Sequence, residues 1–215
     1  MNIVFCKSEW WDNFSATFQT EYRDAIVEAH KEAAVHLHKL PPYVNYIVDL
    51  APWFCIKETG SGAMTRTSRQ ILISLDQDLP YGEEALIKDA RATIFHELNH
   101  ANRYEAGLLS NTFLDGCVME GLATVFERDL SGSRPLWGQY DEAEIKRWLR
   151  EIDTLGISIN QQDFMYDHPD GRKWIGYKTG TFIVDEAIRL SNRDIVDLSN
   201  NATSEEIIGL SGNKK

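Results

Sequence analysis

Two histidines and a glutamate fall within five consecutive residues, His96-Glu97-Leu98-Asn99-His100, and no other stretch is so well suited to chemistry. On a helix turning about 100° per residue, His100 returns to within roughly 40° of His96, and Glu97 stands roughly 100° from His96, so all three share one face. Two neutral imidazoles can then reach one Zn²⁺ at about 2.0–2.1 Å, while the carboxylate stands beside a water on that ion without ligating it. This is the HExxH pattern, a ligand pair with a general base for hydrolysis. The pattern is short enough to arise by chance, so its surroundings have to supply the rest of a site.

A catalytic zinc usually takes three protein ligands and keeps a fourth position open. A third histidine in the metzincin arrangement would need His-x-x-Gly-x-x-His running on from His100, and Glu105 to Leu109 provides neither that glycine nor a second histidine. Two glutamates compete for the role. Glu120 lies 20 positions after His100, enough for the chain to turn and return as a second helix, whereas Glu105, five positions on, is rotated off the ligand face near the helix end. The spacing favours Glu120. Glu127, two turns beyond Glu120, reads either as a group orienting a histidine through its other nitrogen or as an exposed helix carboxylate.

These residues need helices to hold them. From about residue 83 to 105, Ile87, Ala90, Ile94, Leu98 and Ala101 form an apolar stripe opposite His96, Glu97 and His100, which predicts a helix packed on one side and presenting ligands on the other. Pro80-Tyr81-Gly82 breaks the chain before it, and Gly107 is suited to stop it. A second helix over about 112–130 puts Val118, Leu122 and Val125 on its apolar side and Glu120, Thr124 and Glu127 on the other. Upstream, Phe18, Tyr22, Ile26, Ala29, Ala33 and Leu37 predict a helix over 16–39, stopped by Pro41-Pro42. His30, His36 and His38 on or near it read as solvated or helix-end side chains rather than ligands. Trp10-Trp11 precede it as an apolar anchor.

Strands are predicted over 2–6, 43–50 and 70–76, the last with β-branched residues at period two. Gly60-Ser61-Gly62 reads as a flexible turn; no Lys-Ser/Thr follows at the spacing of a phosphate loop. Later helices are expected at 141–155 (Ile145, Trp148, Leu149, Ile152), 177–190 (Phe182, Ile183, Ala187, Leu190), 193–198 and 204–210, with a loop over 163–176.

Composition narrows the class. With 215 residues, 43% apolar and 26% charged, the chain can bury a core without disulfides or structural metal. A net charge of -11, from 22 basic and 33 acidic residues, disfavours nucleic acid and anionic membrane as partners. Cys6, Cys55 and Cys117, an odd number without CxxC spacing, read as thiols of a reducing compartment. The start carries no basic-then-apolar leader pattern and no 18-residue apolar run occurs, so a cytoplasmic protein is expected.

Three motifs in order, His96-Glu97-x-x-His100, Glu120-Gly121-Leu122-Ala123 and Trp174-x-Gly176-Tyr177-x-x-Gly180, resemble the predicted zinc-dependent proteases of the DUF2268 family, and more distantly the thermolysin-like gluzincins. The resemblance spans about residues 70–190. It implies an α+β fold, mostly helical and zincin-like, with an active-site helix and a small mixed sheet, expected as a single domain over 1–215. The edge strand of such a sheet lines a peptide substrate, and Gln70 to Asp76 would be that strand. It also implies zinc held by His96, His100 and Glu120, with Glu97 as base. The Ser-Asp pair that supports thermolysin's glutamate has no match here, Thr124 standing in its place. The expected reaction is hydrolysis of a peptide or protein substrate, with Glu97 passing a proton from water to the leaving amine. Tyr177 is the expected donor to the tetrahedral oxyanion and His168 the alternative. A zincin-fold binding or regulatory protein, or a zinc hydrolase of another amide or ester, are the competing readings.

Overall fold

Period-two burial builds the sheet. Ile71, Ile73 and Leu75 are buried along β4 (Gln70–Leu75), and Tyr46, Val48 and Leu50 stand opposite them on β2 (Asn45–Leu50). β1 (Asn2–Phe5) pairs in parallel with β2, β2 in parallel with β4, and β3 (Ser61–Thr67) antiparallel with β4, giving the order β1-β2-β4-β3. The computed structural model describes residues 1–6, 9–78 and 81–213; Pro80 and the terminal Lys214-Lys215 lie outside the described residues.

The sheet corrects two expectations. Gln70 to Leu75 is an inner strand, hydrogen-bonded on both sides, and the edge beside it is β3. Nor is Gly60-Ser61-Gly62 a turn throughout: Gly60 turns with φ 72°, but Ser61 and Gly62 already belong to β3. Gly62 suits this place because a Cβ there would meet the Phe54 carbonyl oxygen at 2.2 Å.

α1 (Phe18–Ala34) and α2 (Glu83–Glu105) pack on one another, and α2 also packs on β3 and β4. The predicted stripe of α1 is buried from Phe18 through Ala33, but the helix ends at Ala34, where the His36 N–H turns back to the Ala33 carbonyl. His30 is half-buried rather than fully solvated: its Nδ1 lies 2.7 Å from the hydroxyl of the buried Tyr46. Burial lowers the His30 pKa from its ordinary value. In α2, Leu86 rather than Ile87 begins the buried stripe, which continues through Ala90, Ile94, Leu98 and Ala101.

These elements form one compact unit, Met1–Gly107, and Leu108–Lys215 form a second. The second is helical among the described residues: α3 (Phe113–Ser131), α4 (Glu142–Leu155), α5 (Gln161–Met165), α6 (Ile175–Ser191), α7 (Ile195–Asn201) and α8 (Ser204–Leu210). α3 opens with a capping box, Thr112 and Asp115 each accepting from the other's backbone N–H, and closes on Gly132 at φ 77°. α4 buries Ile145, Trp148 and Ile152 as its spacing predicts. The region expected as a loop takes in the end of α5 and the first two residues of α6. Phe182, Ile183 and Ala187 are buried on α6, whereas Leu190 is exposed.

At the centre of this unit α3 crosses α6 without side chains between them: a Cβ on Gly180 would fall 1.6 Å from the Cys117 carbonyl oxygen, and one on Gly121 would fall 2.1 Å from the Gly180 carbonyl carbon. Cys117 is buried, Cys6 and Cys55 are half-buried, and all three thiols are free. Among the described residues no helix is long and apolar enough to cross a membrane.

Candidate metal centre

α2 carries His96, Glu97 and His100 in its second half, where the helix is buried on every side. His96 is 8% exposed, His100 7% and Glu97 6%. One-sided packing accounts for the first turns of α2 but not for this half. Sequence periodicity marks apolar stripes, and polar residues that are buried for chemistry stand outside the pattern.

The imidazoles of His96 and His100 lie with ring centroids 5.0 Å apart and planes at 70°. Two imidazoles bound at about 2.0–2.1 Å to one tetrahedral zinc have their centroids roughly 5 Å apart, so the pair fits a shared ion. Glu97 stands between them in sequence and is held by another element: the Thr65 hydroxyl of β3 lies 2.6 Å from Glu97 Oε2 and 2.9 Å from the Glu97 carbonyl oxygen. Arg103, one turn past His100 and fully buried, has its pKa pushed down to about 10 by desolvation, which still leaves a cation at neutral pH. Glu105 is exposed at the end of α2 and pairs with Arg69 at 3.3 Å. Its carboxyl is held below the ordinary range by hydrogen bonds from Ser68 and Arg69.

In the second unit Glu120 is half-buried on α3, next to Gly121, where α6 comes closest. Its charge adds to the burial that raises the pKa of the Cys117 thiol. Glu127 is 2% exposed and accepts from Ser133 Oγ at 2.7 Å, so it is not an exposed helix carboxylate. Thr124 is fully buried, its methyl facing Gly138.

Tyr177 lies in the first turn of α6 within an aromatic cluster, its ring centroid 5.6 Å from Trp174 and 6.2 Å from Tyr166. Trp174 also meets Trp137 at 5.7 Å and begins the helix in the left-handed region, φ 60° and ψ 32°, a conformation that side chains rarely adopt. The glycines of the Trp-x-Gly-Tyr-x-x-Gly motif are explained by packing: Gly176 admits the Met165 sulfur and Gly180 the backbone of α3. His168 stands in the short hairpin closed by the Asp167–Lys173 bridge, with Nδ1 2.7 Å from Asp170 and its ring edge-on to Phe164.

Sequence reasoning missed Thr65, because the strand that carries it was not expected. A signal was present: Ala63, Thr65 and Thr67 alternate between the Gly60 turn and the Ser68-Arg69 turn, and a strong strand follows at once, the pattern of a hairpin arm.

The first unit is thus a helix-covered mixed sheet whose motif helix carries two buried histidines 5.0 Å apart at their ring centroids and a buried glutamate that accepts from a hydroxyl of β3. Residues 24–209 match the DUF2268 family, described as predicted Zn-dependent protease, and the chain belongs to that family. No curated protein and no solved structure matches it.

Proposed function

We propose that the protein is a zinc-dependent peptidase of zincin-like fold, with His96, His100 and Glu120 holding the metal and Glu97 as general base. The observation that carries this reading is the pair of buried imidazoles 5.0 Å apart, with a buried carboxylate between them in sequence that accepts from a separate strand. The donor set also supports it: two histidines and a glutamate are ligands of the kind that hold zinc with a position left open. Glu105 is engaged with Arg69 and is the poorer third ligand. The family match runs across the boundary between Gly107 and Leu108, which supports one metallopeptidase domain over both units.

Zinc, when bound, supplies Lewis acidity towards a carbonyl oxygen and acidifies a water. Glu97 takes the proton of the attacking water and returns it to the leaving amine, which general acid–base catalysis makes worth about 10²- to 10⁴-fold. Tyr177 is the proposed donor to the oxyanion, its ring braced by Trp174 and Tyr166. The substrate is a peptide or protein, and the free thiols fit a cytoplasmic setting.

Metal analysis of the purified protein together with cleavage of a peptide library tests the proposal. About one zinc per chain and chelator-sensitive cleavage are expected. Tightly held zinc without cleavage of any peptide would replace the reading with a binding protein or a hydrolase of other amides and esters.

A further inference from the structure

We propose that Thr65 is the positioning residue for Glu97, an inference that rests on the assignment of Glu97 as the base. The Thr65 hydroxyl touches one residue twice, 2.6 Å from Oε2 of the Glu97 side chain and 2.9 Å from the carbonyl oxygen of the same residue. A hydroxyl has one proton to give, and a carboxylate oxygen at that shorter distance is the better acceptor. The carbonyl oxygen is the second reference point. Held against both, Oγ1 ties the end of the Glu97 side chain to its own backbone and so selects one rotamer of a residue that otherwise has three flexible torsions.

Thr65 can do this because it is itself constrained. It is 7% exposed, it faces Ile71 across the ladder, and as a β-branched residue it has little freedom at χ1. The ladder shifts register just after it, between Thr65 and Thr67, leaving Arg66 without a partner on β4. Such a bulge re-aims side chains beside it. The contact also distinguishes the two carboxylate oxygens of Glu97, since Oε2 is the one that Thr65 meets. A threonine that merely filled space beneath α2 would need its methyl group and no hydroxyl.

Two substitutions separate these roles. Thr65→Val keeps shape and branching without the hydroxyl, and Thr65→Ser keeps the hydroxyl without the methyl. With T65V, kcat on the best library peptide should fall about 10- to 100-fold, the cost of a displaced catalytic group, with KM and zinc content unchanged. T65S should stay within about threefold of the parent, a small part of that displacement cost. Crystal structures of both variants supply a readout independent of activity: Glu97 should leave its rotamer in T65V and keep it in T65S. Wild-type kcat in T65V, equal impairment of both variants, or an unmoved Glu97 in T65V would each overturn the proposal. If T65V does not fold, Thr65→Ala carries the same expectations. If the parent cleaves no peptide, the peptidase reading fails on that result, and the Glu97 rotamer still decides the role of Thr65.

Discussion

Gly180 and Cys117 are so close that no side chain can stand between them: a Cβ on the glycine would fall 1.6 Å from the cysteine's carbonyl oxygen. The contact brings α3 against α6, the two helices that carry Glu120 and Tyr177.

Replacing Gly180 by alanine should therefore destabilise the protein, although alanine favours a helix by about 1 kcal/mol at an unconstrained position. Overpacking against rigid backbone costs typically 1–3 kcal/mol, and a shift of the denaturation midpoint to lower urea should report it. Gly116→Ala is the control. Its Cβ would meet only the flexible end of Met165 at 3.3 Å, so the midpoint should hold or rise.

Substituting Glu97 by glutamine removes the base while keeping the shape. Zinc content should stay near one per chain and cleavage should fall by about 10²- to 10⁴-fold. A fully active E97Q protein, assayed beside the parent, would end the case for Glu97 as base.

Glu120→Ala should weaken zinc retention against a chelator by more than the roughly 10- to 100-fold typical of losing an outer partner of a metal ligand. Glu105→Ala should leave retention unchanged, since Glu105 is engaged at the exposed end of α2 by Ser68 and Arg69. Zinc loss confined to E105A would transfer the ligand role.

His30 makes stability pH-dependent with a definite sign. Burial lowers its folded pKa below the ordinary 6.5, so below that value the unfolded chain binds more protons than the folded one. The contribution of His30 is complete above about pH 6.5 and is lost as pH falls towards the folded pKa. Thermal midpoints of the parent and of His30→Gln, measured from pH 7.5 down to about 5, should converge on acidification, the parent losing more. Parallel profiles would remove His30 from the account.

Much of this was legible in the chain itself. Apolar spacing located α2, α3 and α4 closely, α1 except for its C-terminal end, and β4 by its alternation, because those patterns are local and the core enforces them. The HExxH residues were legible because helix geometry alone puts them on one face. What escaped depends on partners distant in sequence. The inner position of β4 follows from which strands pair with it, and no local pattern encodes that. His30 looks like a surface residue until Tyr46, 16 positions away, comes under it. Thr65 meets Glu97 across 32 positions, and a lone threonine in a strand has no signature of such a task.

The unpaired Arg66 has a consequence for how this stretch tolerates changes in length. Strand residues alternate between faces, so the extra residue resets the alternation between Thr65 and the Ser68-Arg69 turn. Deleting Arg66 would remove the bulge and leave Thr65 opposite Ile71 and Thr67 opposite Gln70 with the turn unchanged. A residue inserted between Gly62 and Thr65 has no such slack and would send the threonine to the other side of the sheet. Single-residue length changes in this hairpin should thus split sharply by position: accommodated at the turn end, and silencing on the side of Gly62.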